Sequence, residues 1–362
     1  MRAPLSMLTV SRVRNMLLPV LTLAILLSGC SAGSKYMPPR GKESGKILQI
    51  GIGNAYDQEV NGKRVIAYKE AEKDGLRFKY VAVWLTPGWT GWVNRKMLLD
   101  ISRDGYTPVL IYYTFGDDNS RQYLERNNRE KLKAWYKDIK ENLVPLVKTG
   151  SEVLVVLEPE FNVINGKHET PVTEWDEWND IIGKAIDYLH GASPYCKVGL
   201  CPGDWGNYDL EKCMGRVASK NDFIAFQEMR GASDPSTDTS TKEYRDVIGS
   251  ALKFSEYLRK AFHRPVLLAY MAFSSYKNGN PLGWENETVE ITKNMFDRQS
   301  ELADQGVFGI LCFNYFDDPN HGTYFFGEAE KYFGLKSASG KPKKVLKIWQ
   351  NNGVPRQTIK GE

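Results

Sequence analysis

Eight short apolar runs, set apart by long stretches of a different periodicity, constrain this chain more than any other feature. They span Ile47–Ile52, Tyr80–Leu85, Pro108–Tyr113, Glu152–Leu157, Lys197–Cys201, Phe223–Gln227, Pro265–Met271 and Val307–Phe313. The runs are nearly continuous in hydrophobicity and rich in β-branched residues, which fits strands covered on both faces of a parallel sheet. Helical patterns lie between them, clearest over Glu125–Val147, Trp175–Leu189, Thr241–Phe262 and Thr288–Gln305. Gly105, Gly150 and Gly306 stand where a helix gives way to a strand, and glycine supplies the positive φ of such turns. Eight strands, each followed by a crossover, predict an α/β fold, a single (β/α)8 TIM barrel. An open doubly wound sheet is the alternative, but its phosphate fingerprint is missing. Gly51-Ile52-Gly53 follows a strand without a third glycine in frame and reads as a tight turn.

The fourth run ends abruptly in Glu158-Pro159-Glu160-Phe161-Asn162. Pro159 stops regular pairing because it has no N–H for the ladder. Two acids at the carboxyl end of a buried strand lie where parallel α/β proteins put their chemistry. Glu158 and Glu160 share side-chain parity, so both are expected to face the same way. A rim ion pair would explain either acid alone. Two like charges placed together cost energy, so the pair points to function.

In a barrel the site forms from the loops that follow the strands. Those loops carry Asn54 and Asp57, then Trp89 and Trp92, then Asp117 and Asp118. After strand 4 come Glu158, Glu160 and Asn162, and after strand 5 Asp204 and Trp205. Strand 6 leads into Glu228 and Arg230, strand 7 into Tyr276 and Trp284, and strand 8 into Asn314, Asp317 and Asp318. Four of the nine tryptophans therefore collect at one rim. Each could simply plug loop packing. As a set they suit carbohydrate: flat apolar faces for sugar rings, with acids and amides for hydroxyls.

Charge is balanced, with 48 basic against 44 acidic residues, and nothing in it calls for nucleic acid. No CxxC, HExxH or other spaced His/Cys set is present, so neither a structural metal nor a cofactor is expected. The amino terminus has a basic stretch with Arg2, Arg12 and Arg14, followed by an apolar run from Met16 to Leu27 too short for a stop-transfer helix. It leads into Leu27-Ser28-Gly29-Cys30, which resembles the bacterial lipoprotein lipobox. That resemblance implies a signal peptide over 1–29, removed to leave Cys30 as the palmitoylated first residue. Ser31, a residue other than Asp, implies the outer membrane of the cell envelope. Residues 30–46 then read as a flexible tether, 47–354 as the barrel and 355–362 as a tail. The expected partners are the membrane, through the anchor, and a polysaccharide or oligosaccharide, with the chain a monomer. Cys196, Cys201, Cys213 and Cys312 remain in the body, and an oxidising compartment permits disulfides without fixing their pairing.

The strand-4 Glu, the strand-7 segment Arg264-Pro265-Val266-Leu267-Leu268-Ala269 and the closing stretch Tyr332–Lys344 support a family resemblance. Together they resemble the (β/α)8 glycoside hydrolases of the clan of mannanases, cellulases and xylanases. The resemblance covers most of the chain as architecture and implies O-glycosyl hydrolysis, a glycosidase of carbohydrate metabolism. One departure matters. The clan's nucleophilic Glu follows the Pro-Val-x-x-Ala run, and the matching position here is Tyr270. A second acid moved to another strand, a nucleophile from the substrate, Tyr270 itself, or a protein that binds glycans without cutting them would each explain it.

The moved acid is the reading favoured here. Phe223–Arg230 ends strand 6 in Glu228 beside Arg230, two strands from strand 4. At ~4.8 Å per strand, Glu158 or Glu160 would face Glu228 across roughly 9–10 Å of backbone. This overlaps the ~6.5–9.5 Å carboxyl separation of inverting glycosidases. The retaining separation of ~5–5.5 Å is also reachable, though less naturally, so inversion is favoured over retention, with Glu158 or Glu160 as general acid. A cleft lined by several aromatics suits a long chain and endo action. Glu228 would be base or nucleophile, kept ionised by Arg230, with Asp204 as the rival. Trp89, Trp92, Asp117, Asn162, Trp205, Arg230, Tyr270, Tyr276, Trp284, Asn314 and Asp317 would bind substrate. A non-catalytic glycan-binding lipoprotein, for instance in exopolysaccharide export, is the alternative.

Overall fold

All eight apolar runs become strands, and they close on themselves. The computed structural model describes residues 48–53, 58–114, 129–162, 172–204, 210–231, 246–323 and 326–353. The barrel strands are β1 (Gln49–Ile52), β2 (Tyr80–Leu85), β3 (Thr107–Tyr112), β4 (Val153–Leu157), β5 (Cys196–Leu200), β6 (Phe223–Arg230), β7 (Val266–Phe273) and β8 (Val307–Cys312). Each pairs in parallel with its sequence neighbours, and β1 pairs with both β2 and β8 to close the circle.

Strand alternation sorts the side chains into two cores. In β4, Leu154 and Val156 fill the barrel with Ala82, Val109, Ile111, Ala225 and Leu267. Val153, Val155 and Leu157 face the helices. All five β4 residues are buried, each contributing roughly 1.5–3 kcal/mol of transfer free energy. The helix layer includes α1 (Ala67–Lys73), α2 (Arg95–Arg103), α3 (Arg129–Asp138), α4 (Val172–Ala192), α5 (Leu210–Ala218), α6 (Val247–Phe262), α7 (Glu285–Asp297), α8 (Gln299–Asp304) and α9 (Lys344–Asn352).

Two expected helices differ in detail. After α3 the chain widens into a π-turn over Ile139–Leu143, then resumes over Val144–Leu146. Pro145 has no N–H for the helical ladder, which accounts for the interruption. The helix expected over 288–305 breaks at Arg298 into α7 and α8. Gly105, Gly150 and Gly306 have φ of 84°, 83° and 88°, as helix-to-strand turns require. Gly51-Ile52-Gly53 is no turn. Gly51 lies inside β1, and a Cβ on Gly53 would fall 2.1 Å from the carbonyl oxygens of Cys312 and Phe313. Glycine is needed there because β1 and the end of β8 approach so closely. Cys196, Cys201, Cys213 and Cys312 are all buried free thiols.

Candidate active site

Glu158 and Glu160 part company at the end of β4. Both have positive φ, 43° and 64°, which is uncommon for residues with a side chain. The backbone is held there by two hydrogen bonds. Glu158 N–H donates to Tyr112 O on β3 at 2.8 Å, and Glu160 N–H to Cys201 O beyond β5 at 2.7 Å. Shared parity therefore fails. The Glu158 carboxylate is completely buried and accepts from Trp135 Nε1 on α3 at 2.6 Å and from Thr114 Oγ1 at 2.9 Å. Through Oε1 it joins the strand ends to the helix layer.

Glu160 turns the other way. Its Oε1 accepts from Gln227 Nε2 at 3.0 Å and from Tyr270 Oη at 3.3 Å, and the residue keeps partial exposure. Gln227 and Tyr270 come from β6 and β7, so three strands meet on one oxygen. Burial, then the charge of Glu160, holds the Tyr270 phenol well above its ordinary value, and the same two causes raise the Cys201 thiol. Neither ionises near neutral pH. Aromatic rings line the same end. Trp84 lies 5.1 Å from Tyr270, 5.1 Å from Phe313 and 6.0 Å from Tyr113, centroid to centroid. Trp84 is only partly buried, and so is Tyr113.

Glu228 belongs to a second group. Side chains alternate along β6, so Gln227, in step with Phe223 and Ala225, shares the interior with Glu160. Glu228 pairs instead with Arg230 Nη1 at 3.1 Å through Oε2. It is 2% exposed, and Oε1 is buried with no hydrogen-bond partner among the described residues. Burial pushes its carboxyl up to about 8. Arg230 pulls down and Asp204 pushes further up, but burial wins. The expectation that Arg230 keeps this acid ionised is thus corrected: at neutral pH Glu228 is mostly protonated. Asp204, just beyond β5, is partly exposed.

The other expected residues divide. Trp92 is 38% exposed, and Tyr276 stacks on Tyr332 with centroids 5.1 Å apart. Asn162 ties the loops after β4 and β5 together, accepting from Gly203 N at 2.6 Å and donating to Gly203 O at 3.1 Å. Asn314 is 1% exposed, and its amide oxygen and nitrogen find no hydrogen-bond partner among the described residues. Three expected binding residues are structural. Trp89 is buried and donates from Nε1 to Asp138 at 3.2 Å. Trp284 is buried beneath Lys277, whose ammonium lies 5.8 Å from its ring. Asp317 is locked to Lys343 of the closing stretch at 2.5 Å and accepts from Gly334 N at 2.9 Å. Asn54, Asp57, Asp117, Asp118, Trp205 and Cys30 lie outside the described residues. Strand alternation alone marks Gln227 and Trp84 as inward-facing, yet neither stood among the expected site residues.

No family model and no curated protein matches the chain. Solved structures do. A GH5_18 protein from Bifidobacterium longum aligns over 84% of this chain and 78% of its own, with a TM-score of 0.56 and 14% identity. Thermotoga maritima Cel5A, solved in complex with cellobiose, aligns over 84% and 97%, with a TM-score of 0.54 and 13% identity. The GH26C protein of a Muricauda species aligns over 74% and 78%, with a TM-score of 0.51 and 9% identity. What these structures share with this chain is the fold, a closed (β/α)8 barrel.

Proposed function

We propose that this chain is a glycoside hydrolase that cuts a polysaccharide internally, with Glu160 as general acid. The observation that carries the reading is the position of Glu160. It is a partly exposed carboxylate at the carboxyl end of the barrel, held on one oxygen by donors from β6 and β7, beside the aromatic group of Trp84, Tyr113 and Phe313. A fixed carboxyl beside apolar ring faces suits proton delivery to a glycosidic oxygen. Asp204 is the partner in this reading, because Glu228 is buried and mostly protonated at neutral pH and makes a poor base. Inversion is the expected outcome. The protein is anchored through a lipidated Cys30, in the outer membrane.

A second reading has one observation in its favour. Tyr270 occupies the position where the resembled clan carries its nucleophile, and its phenol resists ionisation. On that reading the barrel binds glycans without cutting them.

Reducing-end release from a polysaccharide panel tests the two. The wild type should release ends from at least one polymer. Glu160→Gln and Asp204→Asn should each cost about 10²–10⁴-fold in turnover. Glycan binding with no release from any polymer gives the result to the second reading. Cys30→Ala should abolish labelling by a palmitate analogue and fractionation with membranes.

A further inference from the structure

Arg230, at the end of β6, is held along one edge only. Its Nη1 makes both of its contacts, to Glu228 Oε2 at 3.1 Å and to the Met229 carbonyl at 2.7 Å. Nε and Nη2 carry no partner among the described residues. That pair of parallel N–H groups is the edge of a guanidinium that matches a planar or tetrahedral oxyanion bidentately. The side chain is 21% exposed.

The ion pair positions Arg230 more than it neutralises it. Burial keeps Glu228 mostly protonated at neutral pH, and the remaining charged neighbour that acts on Glu228 is Asp204. The chain that pairs with the Arg230 backbone leads into an aromatic pair. Ser274 N–H donates to the Arg230 carbonyl at 2.9 Å, Ser275 N–H reaches the Tyr332 carbonyl at 3.3 Å, and Tyr276 stacks on Tyr332 at 5.1 Å.

We propose that Arg230 is an anion-recognition residue of the glycan site, taking an acidic sugar substituent on its Nε–Nη2 edge while the Tyr276–Tyr332 pair offers a face to the sugar ring. The substrate class is thus an acidic glycan, carrying either uronic-acid carboxylates or sulfate esters. The inference rests on the reading of this end of the barrel as a glycan site and narrows what binds there. An anion beside Arg230 also opposes ionisation of Glu228, so binding above pH 8 draws a proton from solution.

Isothermal titration of the detergent-solubilised full chain tests this, in the Glu160→Gln background so that ligands survive. The probes are oligogalacturonate, chondroitin sulfate oligosaccharides, cellohexaose and mannohexaose. At least one acidic probe should bind tenfold or more tightly than the neutral ones, and which acidic probe does so separates carboxylate from sulfate. Arg230→Gln should cost about 10- to 100-fold for that probe and erase the preference. Arg230→Lys keeps the charge without the fork and should recover only part of it. If Arg230→Gln proves unstable, the lysine variant carries the test. Titrations at pH 8.5 in buffers of different ionisation enthalpy should report proton uptake. Equal binding of acidic and neutral probes, or equal losses for both on substitution, overturns the proposal. Acidic glycans bound through Arg230 but never cleaved by wild type would leave it standing and remove the hydrolase reading. Cleavage of neutral glycans indifferent to Arg230 would do the reverse.

Discussion

Glu158 and Glu160 flank a single proline, yet one fastens the barrel to its helices and the other enters the barrel mouth. Glu158 is satisfied by Trp135 and Thr114, groups that belong to the scaffold. Glu160 is held by Gln227 and Tyr270, groups that line the interior. The difference lies in the backbone. Two departures into positive φ, one on each side of a proline that cannot pair, re-aim side chains that a regular strand would send to one side. Each such residue costs on the order of 1–3 kcal/mol. The chain bears that cost where a carboxylate must point into the mouth. A buried acid next door, bonded through Oε1 to Trp135 and Thr114, holds the turn in place.

The largest effect on stability should come from the fastening acid. Glu158→Ala leaves the Trp135 indole N–H and the Thr114 hydroxyl without their acceptor in a buried place. It should lower unfolding free energy by about 3–5 kcal/mol in a denaturant titration. Turnover per folded molecule should stay within a few-fold of wild type. A collapse of turnover at unchanged stability would reverse the roles of the two acids.

Glu228 sharpens the contrast from a third position, as a buried acid that lacks a full set of partners. Its folded carboxyl titrates at about 8 against an ordinary 4.5, so the folded state holds a proton that the unfolded state has released across that window. Its contribution to stability is fully present below about pH 4.5 and is lost as pH rises through 8. Glu228→Gln should remove that slope. Relative to the variant, the wild type should lose a few kcal/mol between pH 5 and pH 9. Parallel stability curves would mean that Glu228 is ionised in the folded protein.

The smallest effect concerns how Glu160 is held. Gln227→Ala removes one of the two donors on its Oε1 and should lower turnover by about tenfold, with KM little changed. A rise in KM at constant kcat would make Gln227 a substrate contact and not a positioning residue.

The barrel was legible because its signal is repeated eight times, and small boundary errors leave the closure intact. The parity of Glu158 and Glu160 was not, because parity presumes a regular strand and the chain leaves the strand at Glu158. The loop aromatics were illegible for another reason. Trp89 and Trp284 follow strands as mouth residues do, but burial against Asp138 and Lys277 is decided by partners distant or unmarked in sequence. Asp317 likewise needed Lys343, 26 residues on, to reveal an internal ion pair. Gln227 was readable, since Phe223, Ala225 and Gln227 share one face of β6. Its neighbour Glu228 offers a carboxylate, the more obvious catalytic group, and pairs instead with Arg230.

The most direct test of the central claim is the turnover of Glu158→Gln and Glu160→Gln on one polysaccharide, with the melting temperature of each. Both substitutions keep shape and remove the acid. Glu160→Gln should melt like the wild type and lose about 10²–10⁴-fold in turnover, while Glu158→Gln should melt lower and turn over normally when folded. Equal turnover losses in both, or a loss confined to Glu158→Gln, would contradict it.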